Sequence, residues 1–150
     1  QAMLSAGKPV LWFWPNVDAG ADGTSNGIRS FREQNPDNPF HFFKNMEPTD
    51  FLRLLYNSDG LIGNSSVGIR ECAYLGVPVV NIGVRQNRRD RGNNVLDVDY
   101  HAGQINNALR TFKAKGRPGP SEVYGGGEAG IQIADILTAV DLKFHKTIMY

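Results

Sequence analysis

Apolar residues fall in short bursts separated by longer amphipathic stretches. Residues 9–15 (PVLWFWP), 40–43 (FHFF), 60–63 (GLIG), 78–82 (PVVNI) and 95–98 (VLDV) are short and rich in β-branched or aromatic side chains. Several are apolar on both faces, the pattern of strands in a sheet covered on both sides. Between and after them, apolar positions recur at helical spacing. Residues 24–34 carry Ile28 and Phe31. Residues 48–56 begin with Pro48, which suits a first helical turn, and carry Phe51, Leu52, Leu54 and Leu55. Residues 66–75 follow a serine pair, residues 101–115 carry Ile105, Leu109 and Phe112, and residues 129–144 carry Ile131, Ile133, Ile136, Leu137 and Val140. Strands alternating with helices predict an α/β fold, a parallel sheet sandwiched by helices with right-handed crossovers. Residues 115–127 (KGRPGPSEVYGGG) read as a surface loop before a last helix.

Size and charge narrow this picture. A chain of 150 residues suits a single domain with one core. A net charge of +1 points to neither nucleic acid nor an anionic membrane as partner. No apolar run approaches the roughly 20 residues that span a bilayer, and no charged-then-apolar secretion signal precedes the first strand. Cys72 is the single cysteine and excludes an internal disulfide, which fits a cytoplasmic setting. The start at Gln1-Ala-Met-Leu, a few residues before a candidate strand, suggests a trimmed fragment.

In an open parallel sheet, ligands sit beyond the carboxyl ends of the strands. Four polar loops leave such ends: residues 16–23, 44–47, 64–66 and 83–91. Gly60-Leu-Ile-Gly-Asn-Ser-Ser-Val-Gly-Ile-Arg-Glu71 runs from a strand through a small polar loop into a helix. That order presents backbone N–H groups and the hydroxyls of Ser65 and Ser66 to an anion. Taken alone, the serines read as ordinary N-caps. Arg85, Arg88, Arg89 and Arg91 form a cationic loop nearby, whose guanidinium forks suit phosphate. One or two are expected to face a ligand and the rest water. Ile69, Cys72, Ala73 and Gly76 share the helix face that meets the sheet, and Glu71 lies off it, free to reach ribose hydroxyls or to pair with Arg70 or Arg85. Asp18 and Asp22 read as turn-forming residues. Trp12 and Trp14 read as sheet packing, His41 as a strand residue and His101 as flanking a helix.

Other motifs fail. Gly125-Gly-Gly-Glu-Ala-Gly130 matches G-x-G-x-x-G in letters, but no convincing strand precedes it. There is no P-loop and no G-x-S-x-G. His41, His101 and His145 are scattered without metal-ligand spacing, so no metal is expected. No paired acid and base can be assigned.

Gly63-Asn-Ser-Ser-Val-Gly-Ile-Arg-Glu71, Leu75-Gly-Val-Pro-Val-Val-Asn-Ile-Gly83, Arg85-Gln86, Arg89-Asp90 and Gly92-Asn-Asn-Val95 resemble the UDP-N-acetylglucosamine 2-epimerase family, and within it the hydrolysing, sialic-acid-type branch. Trp14-Pro-Asn-Val-Asp-Ala-Gly20 and Tyr124-Gly-Gly-Gly-Glu-Ala-Gly130 fit the same family. The resemblance covers nearly the whole chain but only the second half of such an enzyme. It implies a Rossmann-like lobe, the carboxyl-terminal half of a GT-B-type two-lobed enzyme with its active site in the interlobe cleft. Residues 1–150 would be the UDP-binding lobe, inactive alone, with the amino-terminal lobe of the same enzyme as partner and a homo-oligomeric parent. Ser65 and Ser66 would hold the diphosphate and Glu71 the ribose. Arg85 would lie near the diphosphate, with Arg89 a further candidate. The backbone around Met46, with Phe51 behind it, would receive the uracil. The implied reaction eliminates UDP from UDP-N-acetylglucosamine to give 2-acetamidoglucal. Water then adds to yield N-acetylmannosamine, or UDP re-adds to yield the 2-epimer. The implied reaction needs no redox cofactor, and its acids and bases come mostly from the amino-terminal lobe. Arg88 and Arg91, where the family has smaller or neutral residues, and Gly126, where it usually has Asp, depart from the pattern. A GT-B glycosyltransferase donor lobe and a non-catalytic nucleotide-binding module are the alternatives.

Overall fold

A computed structural model describes residues 2–16 and 21–141. The chain runs α1 (Ala2–Ala6), β1 (Val10–Phe13), α2 (Ala21–Gln34), β2 (Phe40–Phe43), α3 (Pro48–Asn57), β3 (Leu61–Gly63), α4 (Ser66–Ile69), α5 (Glu71–Leu75), β4 (Val79–Ile82), β5 (Val95–Val98), α6 (Ala102–Lys115) and α7 (Ala129–Ala139). Every strand pairing is parallel. The protein is thus the expected α/β arrangement of parallel strands flanked by helices.

The strands form two ladders where the sequence predicts one sheet. β1 pairs with β2, and β3, β4 and β5 pair in that order. Side chains join the ladders. Lys8 meets Asp59 at 3.1 Å just ahead of β1 and β3, and Phe13 packs edge-on against Phe51 of α3 at 5.1 Å. β3 has three residues and ends at Gly63 with φ of 149°. That conformation is essentially reserved for glycine and stops the strand abruptly.

The core sits between the three-stranded ladder and α3, α4 and α5. Leu55, Cys72, Val77 and Val79 form its centre, with Phe51, Leu61, Val67, Leu75 and Val95 against them. Ile69, Cys72 and Ala73 are fully buried, as helical phasing predicts. α4 lies so close to the strands that a Cβ on Gly68 would sit 2.9 Å from Val79 Cγ1 and 3.2 Å from Leu61 Cδ2. A second apolar group surrounds Trp12, whose ring stands 5.3 Å from Phe31 and 5.8 Å from Phe42.

Several expectations are corrected. α1 was not foreseen, because five residues carry no readable period; Ser5 ties it to Asn106 of α6. α2 starts at Ala21, so Asp22 lies in a first helical turn, where its carboxylate is favourable, and not in a turn between elements. The helix expected over residues 66–75 is two short pieces meeting at Arg70. The last helix ends at Ala139, and none of its residues is buried. Asp18 and His145 lie outside the described residues.

Candidate functional site

Parallel register brings three loops to one edge. Gly63, Asn81 and Asp97 align across β3, β4 and β5, so the segments starting at Asn64, Gly83 and Asp99 emerge side by side. Ser65 caps α4, its Oγ accepting the Val67 N–H at 3.4 Å, a long and weak bond. Ser65 is exposed and Ser66 half-buried. α4 is one turn long, so its dipole is small. Any anion here would be held by individual N–H and O–H donors.

The cationic loop is fastened to the serine loop by one carbonyl. Gln86 Nε2 donates to the Asn64 oxygen at 2.7 Å and Arg85 Nη1 donates to it at 3.2 Å. Gln86 is buried, whereas Arg85, Arg88 and Arg89 are exposed. Arg88 takes φ of 66°, a left-handed conformation costing a non-glycine residue roughly 1 kcal/mol or more. Arg89 bonds through its backbone: its N–H reaches the Gln86 carbonyl at 3.4 Å and its own carbonyl accepts from Arg91.

Arg91 is committed to an acidic partner, with 23% of its side chain exposed. Its Nε and Nη2 donate to the two Asp97 oxygens at 3.1 and 3.3 Å, and buried Asn81 donates to the same carboxylate at 2.6 Å. Tyr124 Oη donates to the Asp90 carbonyl at 2.9 Å. Asn94, also buried, donates to the carbonyls of Gly68 and Val77 at 3.3 and 3.1 Å, tying α4 to the approach of β4. Sequence reasoning missed Gln86, Asn81, Asn94, Asp97 and Tyr124 as builders of the site. The signal available was the run of amides around residues 81–94, but a buried amide and a loop amide look alike in sequence.

Glu71 pairs with Arg70 at 2.9 Å through Oε1, while its Oε2 is buried without a hydrogen-bond partner. A buried carboxylate oxygen without a donor is costly, and a ligand hydroxyl would relieve it. Met46 is half-buried. Its N–H is taken by Asn45 Oδ1 at 2.9 Å, a local bond that an incoming base edge would displace. Phe51 contacts Phe13 and packs on the cluster that also receives Val67, so the first turns of α3 and α4 are anchored to the same core. Trp14 departs from plain sheet packing. The Arg29 guanidinium lies over its ring at 5.8 Å, and with Arg32 and Lys44 they line a shallow hollow of about 320 Å³.

Burial, reinforced by the Glu71 carboxylate and opposed by Arg117, pushes the Cys72 thiol up to about 12. That thiol is unsuited to act as a nucleophile. Among the described residues no group of three acidic, histidine or cysteine side chains could hold a metal ion, and no helix is long and apolar enough to cross a membrane. The arrangement presents donors and cations suited to an anion, and Glu71, in the helix piece that follows, carries one orphaned carboxylate oxygen.

Residues 4–138 match the family described as UDP-N-acetylglucosamine 2-epimerase. The chain is 34% identical over 143 residues to the UDP-N,N'-diacetylbacillosamine 2-epimerase (hydrolyzing) of Legionella pneumophila, covering 95% of this chain and 37% of that protein. It is 27% identical over 128 residues to the UDP-N-acetylglucosamine 2-epimerase of Neisseria meningitidis, covering 85% and 33%. It is 37% identical over 95 residues to the polysialic acid biosynthesis protein P7 of Escherichia coli, covering 63% and 24%. The chain thus spans about a third of the length of the first two of these curated relatives.

Proposed function

Because this chain belongs to the UDP-N-acetylglucosamine 2-epimerase family, we propose that it is the UDP-binding, carboxyl-terminal lobe of a sugar-nucleotide 2-epimerase. The observation that carries this reading is the shared Asn64 carbonyl, which fastens the arginine loop to the Ser65–Ser66 turn at the carboxyl edge of the parallel strands. The diphosphate seats there, against the serine hydroxyls and N–H groups, with Arg85 beside it. The unpartnered Oε2 of Glu71 accepts from the ribose. The uracil lies along the backbone at Met46, over the end of α3 that Phe51 anchors. Arg89, exposed beside them, adds positive potential.

The chemistry that follows is loss of UDP from C1 of the sugar as a proton leaves C2, giving 2-acetamidoglucal. Water then adds to give the 2-epimeric free sugar. This lobe lowers the barrier by stabilising the charge that gathers on departing UDP, through donors already oriented in the free protein. The acid and base for the C2 proton belong to the other lobe. Support for a lobe also comes from α7, whose Ile131, Ile133, Ile136 and Leu137 are all more than half exposed. Apolar surface of that kind is usually covered by another body. A single, buried thiol suits a reducing cytoplasm.

Titration calorimetry tests the site. UDP binds this chain more tightly than AMP does, and Ser65→Ala combined with Glu71→Ala weakens UDP by at least about tenfold, the equivalent of roughly 1.4 kcal/mol. Equal affinity for the two nucleotides, or an unchanged double variant, overturns the assignment. The isolated chain releases no N-acetylmannosamine from UDP-N-acetylglucosamine. The longer parent turns over, and comparison with UDP-N,N'-diacetylbacillosamine identifies its sugar.

A further inference from the structure

We propose that Gln86 is a positioning residue for the diphosphate, acting through the Asn64–Ser65 peptide. This rests on the reading that the diphosphate seats at Ser65 and Ser66. Gln86 is 2% exposed, and its Nε2 holds the Asn64 carbonyl at 2.7 Å across 22 residues of chain. Arg85 Nη1 approaches the same oxygen at 3.2 Å. A carbonyl oxygen has two lone pairs, so these two donors saturate it and fix the plane of the peptide. In a trans peptide the C=O and the following N–H point in opposite directions. Pinning the Asn64 oxygen toward the arginine loop therefore turns the Ser65 N–H the other way. No hydrogen bond to that N–H is present among the described residues, so it is held ready for an anion, with no reorientation needed when the anion arrives.

The amide is poorly explained as a stabilising group. Its Oε1 is buried and has no partner. An apolar side chain of the same length would fill the space without that desolvation cost. What an apolar side chain cannot do is hold the Asn64 carbonyl. Arg85 alone is a weaker restraint on that carbonyl, because its bond is longer, 3.2 Å against 2.7 Å for Gln86.

The test is Gln86→Met, which keeps the length and removes the donor, examined with UDP and with uridine. The expected result is a thermal midpoint at or above that of the unaltered chain, UDP affinity reduced about tenfold, and uridine affinity unchanged. The split between the two ligands is a change that a merely structural role would not produce. In the unaltered chain, the Ser65 amide resonance shifts on adding UDP and not on adding uridine. Should the variant fail to fold, that resonance still decides the matter. Unchanged UDP affinity in the variant, equal losses for both ligands, or a silent Ser65 amide overturns the positioning role while leaving UDP binding itself intact. Absence of UDP binding to the unaltered chain overturns the site and this role together.

Discussion

Cys72 shows how one buried atom couples the core to pH. None of the residue is exposed, and its thiol is pushed up to about 12, first by desolvation and then by the Glu71 carboxylate. In the unfolded chain the same thiol titrates near 9. The folded state therefore keeps its proton where the unfolded state releases it. Stability is fully present below about pH 9 and falls as pH rises toward 12, at up to about 1.4 kcal/mol per pH unit. Urea unfolding at pH 8 and pH 10.5 should show a smaller loss in Cys72→Ala than in the unaltered chain, by about 1 to 2 kcal/mol. An identical loss in both would mean that the thiol titrates normally in the folded protein. Ser65, Ser66, Glu71 and Arg85 were legible as candidates because a strand, a small polar loop and a helix start follow one another in the sequence. Gln86 and Asn94 were not, since what marks them is burial combined with a distant carbonyl. Arg91 was legible as a cation but not as the partner of Asp97, six residues further on in β5.

At the scale of elements, α4 depends on its glycine. Gly68 lets the helix approach Val79 and Leu61 to within Cβ contact, and the Ser65–Ser66 turn is placed by that approach. Gly68→Val should lower stability by about 1 to 3 kcal/mol in denaturant unfolding, because the extra methyls must displace packed side chains. It should also weaken UDP binding more than uridine binding. Normal stability together with normal UDP affinity would show that the helix can lift without moving the turn. Strand positions were readable to within a residue or two, since each is a short apolar burst with turn chemistry on either side. The break at Arg70 was not readable, because residues 66–75 carry an unbroken helical period. The separation of β1–β2 from β3–β5 was hidden for a similar reason: strand sequences announce burial, whereas hydrogen-bonded neighbours are a matter of register and approach.

At the scale of the whole molecule, α7 stands out among the described residues as a helix with no buried side chain. Ile131 and Ile136 are 67% and 62% exposed. Ile131→Gln with Ile136→Gln should leave the melting temperature of this chain within about 2 °C, since surface changes usually fall within about 0.5 kcal/mol. A drop of many degrees would mean that the helix packs on the body in solution. Periodicity predicted α7, but only the tertiary structure shows that its apolar side chains are exposed. The sequence by itself determined the alternation of strands and helices, the parallel α/β class, the serine turn and the family, because these depend on local order along the chain. Tertiary structure alone decided which carbonyl Gln86 holds, which carboxylate disarms Arg91, and which oxygen of Glu71 is left without a donor. Those depend on directions and distances between segments that the chain brings together only after it has folded.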